Sequence, residues 1–274
     1  KNAFGALPIQ RLSLDQAAAL LKKAATGLLA AVFWLCVWQL ASVCVKNNLL
    51  LPSPASVFKA MTGIIAEEAF CAILFNSILN ILKGFLWGHI AGALLAVFAS
   101  ASKAFKAILT PFMSVVKSTP IASFIILVYV WIDKNNTPAF ISFLIVLPVV
   151  WQNIKSGILS ADEKLLEAAK IYRFNFFKKV RYIYIPSVLP YYVGAFKVSM
   201  GMAWKAGVAA EVLCAAKLTL GGAIYDSKIY LETEELFAWT IVVIIISMII
   251  EFFTVKLLDN AAKRLSIAGR DGGI

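Results

Sequence analysis

The feature that most constrains this sequence is a set of six apolar segments, each 18 to 28 residues long. The hydrocarbon core of a bilayer is about 30 Å thick, so a helix needs about 20 residues to cross it. Only helices and closed barrels satisfy their backbone hydrogen bonds inside lipid. The sequence therefore predicts an all-α, polytopic membrane protein with six transmembrane helices. The predicted spans lie at 27–45, 76–100, 105–132, 137–154, 190–213 and 236–255.

The composition excludes an ordinary soluble domain. The chain is 61% hydrophobic and 15% charged, whereas soluble domains are about half apolar and about one quarter charged. The first span follows 26 residues that include Lys22 and Lys23, and no clear small-x-small cleavage site comes after it. We therefore expect a retained helix and not a removed signal peptide.

The basic residues are distributed unevenly between the connections. The net charge is +11, and 17 of the 26 Lys and Arg lie on one side of the predicted spans, with 5 on the other. Cytoplasmic loops carry an excess of basic residues. We therefore predict that the N-terminal segment 1–26, the loop 155–189 and the tail 261–274 are cytoplasmic, around a transmembrane domain at 27–260. The basic excess then reflects topology, and no nucleic-acid partner is expected.

The sequence lacks the residue clusters of an enzyme or a metal site. It contains no phosphate-binding loop G-x-x-x-x-G-K-[ST], no G-x-S-x-G and no H-E-x-x-H motif. His89 is the only histidine, and no C-x-x-C pair occurs among Cys36, Cys44, Cys71 and Cys214. We therefore predict a non-catalytic chain with no metal and no cofactor of its own. We interpret His89 as a packed, hydrogen-bonded side chain and not as a ligand or proton carrier.

Two further patterns concern packing. Gly84, Gly88 and Gly92 stand at i, i+4 and i+8 in the second span, which places them on one helix face where another helix can approach closely. Leu51-Pro-Ser-Pro54 predicts a stiff, extended segment, since each proline removes a donor and restrains the residue before it. A short helix at 55–68 is expected to follow and to lie on the outer surface.

Charged residues inside the third and fifth spans have two interpretations. Lys117 and Lys205 are predicted to lie near the bilayer centre, where a charge is costly unless it faces a cavity or a partner. They either line a partly polar passage biased toward anions, or they are neutralised by Glu211 and Glu251 or reach out to the interface. The candidate residues for the translocation pathway are Lys117, Ser118, Pro120, Lys197, Gly201, Trp204, Lys205 and Glu211.

The connection between the fourth and fifth spans predicts an amphipathic pair of helices. Its first half, from Asp162, keeps apolar residues at helical spacing, and its second half is rich in aromatic and basic residues. Such a segment presents both an apolar and a charged face to the cytoplasm. A soluble protein partner is its expected ligand.

The residues of this loop resemble a known family. Glu167-Ala168-Ala169, followed by Ile183, Ile185 and Pro186, resembles the E-A-A-x(3)-G-x(9)-I-x-L-P loop of permease subunits of binding-protein-dependent (type I) ABC importers. Further matches are similar to the nitrate/sulfonate/taurine branch: Leu51-Pro-Ser-Pro54, Lys117-Ser-Thr-Pro-Ile-Ala122, Pro186-Ser-Val-Leu-Pro190, Trp204-Lys-Ala-Gly-Val-Ala-Ala-Glu211 and Leu236-Phe-Ala-Trp239.

Two residues depart from the family pattern. Ile185 stands in place of leucine and preserves its bulk, but Arg173 stands in place of the glycine. Glycine adopts a left-handed turn without steric cost. Asn175 also tolerates that conformation, so we expect Asn175 to have taken over the turn between the two short helices of the loop.

The resemblance implies a type I importer permease fold in the bacterial cytoplasmic (inner) membrane. It implies that the loop docks on a cytoplasmic ATPase subunit, which carries the ATP and Mg, with small alanines that allow close approach. The expected coupling residues are Glu163, Leu166, Glu167, Ala168, Ala169, Tyr172, Arg173 and Phe177. It also implies an external substrate-binding protein and a second permease copy, most simply in a homodimer.

The resemblance leaves the transported solute open between sulfonates, taurine, nitrate and uncharged vitamin precursors; the lysines favour a small organic anion. The alternative function is an ion-coupled secondary carrier or channel that works without an ATPase. Such proteins typically show inverted repeats or filter sequences, which we do not find. A membrane enzyme is disfavoured, since it would need a catalytic cluster of His, Asp or Cys.

Overall fold

The structure, a computed structural model, describes the backbone of residues 14–271 and, within that range, the side chains of Lys22 and residues 25–258. All regular structure in the described residues is helical. The helices are α1 (Leu14–Val45), α2 (Pro54–Ala66), α3 (Phe70–Ala101), α4 (Lys103–Ser118), α5 (Ile121–Tyr129), α6 (Thr137–Leu159), α7 (Glu163–Ile171), α8 (Phe176–Lys179), a π-helical turn (Val180–Tyr184), α9 (Ile185–Cys214), α10 (Leu220–Ile229) and α11 (Thr233–Asp271).

Helix α6 forms the centre of the bundle, because it packs against both α3 and α9. The glycine face of α3 lies against α6. A Cβ atom added at Gly88 would lie 2.7 Å from the Cβ of Val146, and one at Gly92 would lie 2.9 Å from the carbonyl oxygen of Leu147. These distances are shorter than real side-chain contacts, so the glycines allow the two helices to approach this closely.

Helices α1 and α11 lie at the periphery and expose long apolar surfaces. The extended segment before α2 holds α1 in place. Trp38 Nε1 donates to the carbonyl of Pro52 at 3.1 Å, and Ser42 Oγ donates to the carbonyl of Leu51 at 3.0 Å. Helix α2 then packs against α11 through the buried Val57 and Ile64. The exposed surfaces of α1 and α11 suit contact with lipid.

The predicted third span, 105–132, is not one continuous helix. It consists of α4 and α5, which meet at an angle of 102°. The break lies at Thr119 and Pro120, where the backbone is extended. Pro120 has no backbone N–H, and its ring disfavours a helical conformation at Thr119, so the chain turns here.

The fifth predicted span, 190–213, lies within one continuous helix although it contains a proline and three charged residues. Helix α9 runs without a break from Ile185 to Cys214 and includes Pro190. Pro190 lies in the second turn of the helix, where it removes a single backbone donor. The charged residues of this segment therefore lie on a regular helix, and their faces follow from helical spacing.

Within the described residues, four helices are long and apolar enough to cross a membrane: Ala25–Val45, Phe70–Ala101, Thr137–Leu159 and Thr233–Leu258. The bent pair α4 and α5 makes a fifth if it is counted as one span. Helix α9 is 30 residues long but contains Lys197, Lys205 and Glu211. Six spans and cytoplasmic termini stay predictions, and residues 1–13 and 272–274 lie outside the described residues.

Candidate coupling loop and translocation surface

The loop between α6 and α9 folds as two short helices. Asp162 is the N-cap of α7, since its Oδ1 accepts a hydrogen bond from the backbone N–H of Lys164 at 2.8 Å. Helix α7 ends in a Schellman motif, in which the N–H of Phe174 donates to the carbonyl of Ala169 at 2.8 Å and the N–H of Arg173 to that of Lys170 at 3.1 Å. These bonds fix the path of the chain between α7 and α8.

Arg173 itself adopts the left-handed conformation, with φ of 51°. The expectation that Asn175 takes over this turn is therefore wrong. Asn175 has an extended backbone, with φ of −69° and ψ of 168°. Its Oδ1 accepts a hydrogen bond from the N–H of Lys178 at 2.9 Å, so Asn175 is the N-cap of α8. The turn thus stays at the position where the family has glycine, at a conformational cost of about 1 kcal/mol for a residue with a Cβ.

The exposed apolar surface of the loop is larger than the sequence predicted. Tyr172 is 76% exposed and Phe177 is 79% exposed. Three more apolar residues that were not among the predicted contacts are also exposed. We call the five residues together the coupling face: Leu165, Ile171, Tyr172, Phe176 and Phe177. Their apolar type in a solvated loop is the sequence signal that could have found them.

The other predicted coupling residues occupy different positions. Glu163, Glu167 and Arg173 are exposed, while Leu166 and Ala168 are half-buried. Ala169 is only 3% exposed, because it packs inside the loop with Ala161 and Ile183. The prediction that Ala169 is open to a partner protein is therefore wrong. The small side chain of Ala169 lets α7 pack closely against Ala161 and Ile183.

The loop joins the membrane helices through direct contacts. A Cβ atom added at Gly157 of α6 would lie 2.8 Å from the Cα of Val188 of α9, so the two helices touch where the loop leaves and re-enters the bundle. The π-helical turn links α8 to α9 without a break. An apolar cavity of about 730 Å³ separates the loop from the bundle beside this contact; it is lined in part by Val97, Ile154, Ile158, Phe176, Val180 and Tyr184.

The predicted pathway residues of the third span lie at its break. Lys117 is exposed, and its Nζ donates a hydrogen bond to Oε1 of Gln152 on α6. Ser118 Oγ donates to the carbonyl of Val115 at 3.2 Å. Pro120 directly precedes α5 and is exposed. Gln152 was not predicted, because a glutamine in an apolar helix has no spacing signal that links it to a lysine 35 residues earlier.

The predicted pathway residues of α9 divide between two faces. Lys205 is exposed, and Gly201 borders open space, because a Cβ atom there would meet nothing within 4 Å. Lys197 is half-buried. Trp204 is only 3% exposed and packs in the core, so its assignment to the pathway surface is wrong. Helical spacing puts Trp204 about 100° away from Lys205, which explains the difference.

Glu211 is completely buried, and its carboxylate accepts two hydrogen bonds at Oε2. The donors are Ser77 Oγ and the backbone N–H of Gly221, both at 2.9 Å. Ser77 Oγ in turn accepts from the N–H of Leu220 at 2.8 Å. Glu211 and Ser77 therefore satisfy the first backbone donors of α10 inside the protein, where water does not reach them.

Two earlier assignments of Glu211 are consequently wrong. It does not line an open surface, because no part of the residue is exposed. It does not neutralise Lys117 or Lys205 either, since its carboxylate bonds Ser77 and the start of α10. Among the described side chains, neither Lys117 nor Lys205 forms an ion pair.

His89 is packed between α3 and α9. Its Nε2 lies 3.0 Å from Ser199 Oγ, and its ring contacts the aromatic rings of Phe85, Tyr192 and Phe196. Ser199 Oγ donates its own hydrogen to the carbonyl of Phe196 at 3.2 Å. His89 therefore packs among aromatic rings and shares a hydrogen bond with Ser199, as expected of a packed, hydrogen-bonded histidine.

Comparison with known proteins gives one consistent family. Residues 84–267 match the family described as "Binding-protein-dependent transport system inner membrane component". The chain is 25% identical over 237 residues to the putative aliphatic sulfonates transport permease protein SsuC of Bacillus subtilis, with 85% of each chain covered. It is 22% identical to the taurine transport system permease protein TauC of Escherichia coli, with 78% of this chain and 80% of that one covered.

The fold also matches solved structures. A chain of a bacterial alginate ABC transporter, crystallised in complex with an alginate pentasaccharide-bound periplasmic protein, superposes with a TM-score of 0.59 at 16% identity. The match covers 93% of this chain and 98% of that one. At this identity the likeness concerns the fold alone.

Proposed function

The chain belongs to the family of binding-protein-dependent transport system inner membrane components, and from this premise we propose that it is the permease subunit of an ATP-driven importer. It is a multi-pass protein of the bacterial inner membrane. In this proposal two copies form the passage, a substrate-binding protein delivers the solute from outside, and separate ATPase subunits hydrolyse ATP. The permease itself makes and breaks no covalent bond.

The observation that carries the proposal is the coupling face. Five apolar side chains stand exposed on a loop that has its own small core, so the loop keeps its shape while it offers an apolar surface. Large exposed apolar groups on an ordered surface are typical of a protein interface. Glu163, Glu167 and Arg173 add exposed charges to the same loop. This combination suits docking on a soluble subunit.

The connection of the loop to the bundle supports coupling by rigid motion. The loop is continuous with α9, and the two helices that it joins, α6 and α9, touch each other at Gly157 and Val188. A displacement of the loop by the ATPase would therefore move these helices together, and not be absorbed by a flexible linker. Such small shifts change which side a packed bundle opens to.

The exposed lysines and the relatives support a small organic anion as the solute. Lys117 and Lys205 bring positive charge to the surfaces of the third and fifth spans. The matched relatives are permeases for aliphatic sulfonates and taurine. We therefore extend that substrate class, with nitrate as a further anion, to this chain.

The test replaces one residue of the coupling face and a matched residue elsewhere. Tyr172→Ala removes an aromatic group that is 76% exposed on the loop, and Tyr230→Ala removes one that is 71% exposed after α10. Tyr172→Ala is expected to weaken binding of the ATPase subunit by about tenfold or more, since an aromatic residue central to an interface contributes at least about 1.4 kcal/mol. Tyr230→Ala is expected to leave ATPase binding unchanged.

Uptake by proteoliposomes completes the test. The reconstituted complex is assayed with taurine, ethanesulfonate, nitrate and an uncharged pyrimidine, with and without ATP. Uptake that needs both ATP and the ATPase subunit supports the importer. Uptake by the permease alone would instead establish the ion-coupled carrier or channel, and equal ATPase binding by both tyrosine variants would remove the coupling face from the proposal.

A further inference from the structure

Helix α4 has three distinct faces in the described structure. One face packs against α3 and α6 through Leu109, Met113 and Val116. A second face is exposed and apolar, with Ile108, Phe112 and Val115. The third face is exposed and polar along almost the whole helix; it consists of Lys106, Thr110, Ser114 and Lys117, at i, i+4, i+8 and i+11. We call this third face the polar strip.

The two lysines of the polar strip do not suit contact with lipid, whereas the hydroxyls of Thr110 and Ser114 donate to carbonyls of α4 itself. Polar and charged side chains within membrane helices face water-filled cavities or protein partners, because their burial in hydrocarbon is costly. The neighbouring apolar face, with Ile108 and Phe112, supplies the surface that lipid would contact. The polar strip therefore marks the side of α4 that borders an aqueous space.

The strip ends at a group of three polar residues from two helices. Lys117 Nζ donates to Oε1 of Gln152, which is exposed on α6. Lys155 follows Gln152 on α6, and its Nζ lies 4.7 Å from the centre of the Trp151 ring. Lys155 stands three residues after Gln152, which places the two side chains on one face of α6. Lys117 from α4 therefore contacts Gln152 directly, and Lys155 lies one turn along α6 from that amide.

The hydrogen-bond inventory of this group shows what it can bind. A lysine has three N–H donors and no acceptor, and the amide of glutamine has two donors and one acceptor oxygen. The acceptor oxygen of Gln152 is already used by Lys117. Neither lysine forms an ion pair with any side chain in the described part of the chain. The group therefore offers donors and positive charge, and it lacks a neutralising anion.

We propose that Lys117, Gln152 and Lys155 bind the oxyanion group, a sulfonate or carboxylate, of the solute as it moves along the exposed sides of α4 and α6. This inference rests on the proposed function and assigns a binding site to that passage. Several oxygens on one negatively charged group match the several donors that these three side chains offer. The binding must be weak enough for release, and the exposure of Lys117 and Gln152 keeps the site hydrated.

The experiment uses the reconstituted complex in phosphatidylcholine vesicles and whichever anion of the uptake panel the wild type transports best. Lys117→Gln and Lys155→Gln are each expected to lower uptake about 10- to 100-fold, which corresponds to loss of one charge-assisted hydrogen bond. Lys117→Arg keeps the charge and is expected to retain uptake within about threefold. The matched control is Lys83→Gln, since Lys83 is an exposed lysine on α3 that lies among exposed apolar residues such as Leu82 and Trp87.

A further variant separates binding from a structural role. Gln152→Glu would give Lys117 an ion-pair partner, so a purely structural site would be as stable as before or more so. If the site binds an anion, the added negative charge repels it, and uptake is expected to fall at least about tenfold while the ATPase still binds and the protein still folds. Normal anion uptake by Gln152→Glu, or by both lysine variants, would overturn the proposal.

Two more outcomes are informative. The same donors could hold the phosphate of an anionic lipid, so uptake is repeated in vesicles that contain phosphatidylglycerol, and bound lipid is counted by native mass spectrometry. Loss of bound phosphatidylglycerol in Lys117→Gln, with uptake unchanged in phosphatidylcholine, would assign the site to lipid and overturn the proposal. ATP-driven uptake of the pyrimidine but of none of the anions would overturn it too, while the importer function would stand.

Discussion

Gly88 and Gly92 of α3 and Gly194 and Gly201 of α9 each lie on one face of their helix, but the two pairs have opposite surroundings. Gly88 and Gly92 are closed in by α6, and a Cβ atom at either would overlap its neighbours. Gly194 and Gly201 stand seven residues apart on α9, and a Cβ atom at either would meet nothing within 4 Å. The first pair is explained by packing inside the chain, and the second is not.

The difference teaches how to interpret small residues in a membrane helix. Glycines repeated on one helix face allow another group to approach the helix closely, but they do not say which group it is. In α3 the approaching group is another helix of the same chain. In α9 the open glycines share the exposed face with Lys205, which fits an approach by a second permease copy or by the solute in the proposed importer.

The contrast between the two pairs of glycines is tested most directly by a larger side chain at Gly88. Gly88→Leu is expected to lower the free energy of unfolding by about 3 kcal/mol or more, because the new side chain would overlap Val146 across the contact between α3 and α6. Denaturant-induced unfolding of the purified protein measures this. A variant as stable as the wild type would mean that the contact between α3 and α6 is looser than the structure has it.

Substitutions of Glu211, on the buried face of α9, are expected to lower the stability by an intermediate amount. Glu211→Ala removes the acceptor of Ser77 and of the N–H of Gly221, and it is expected to cost about 2 kcal/mol of stability. Glu211→Gln retains one acceptor oxygen and is expected to cost less than half as much. Equal unfolding curves for the alanine and glutamine variants would show that these hydrogen bonds do not hold the start of α10.

Much of the helical framework followed from the sequence, because apolar length and helical spacing are local properties. The break at Pro120 and the continuity of α9 through Pro190 did not follow. Both are X-Pro positions, and the surrounding contacts decide whether the chain bends there. The 102° angle at the first and the regular helix at the second are tertiary outcomes.

The candidate site was only partly predictable for the same reason. Only Tyr172 and Phe177 of the coupling face were among the predicted contacts, and the burial of Ala169 depends on Ile183, which lies outside the first helix of the loop. Arg173 kept the left-handed turn because the end of α7 requires that conformation there. The roles of Glu211 and Gln152 depend on partners far away in sequence, Ser77 and Lys117, which no local pattern connects.

The smallest expected change in stability is the most decisive for the comparison. Gly201→Leu introduces the same side chain as Gly88→Leu but into open space, so the free energy of unfolding is expected to change by less than about 1 kcal/mol, and any change should be stabilising because leucine favours a helix more than glycine does. If the exposed face of α9 borders the passage or a second copy, uptake should nevertheless fall several-fold, since the added volume fills space that the assembled importer uses. Unfolding and uptake are therefore measured on the same preparation. A stable Gly201→Leu variant with normal uptake would mean that the open glycines of α9 face only lipid, and a strongly destabilised one would mean that they pack inside the chain as those of α3 do.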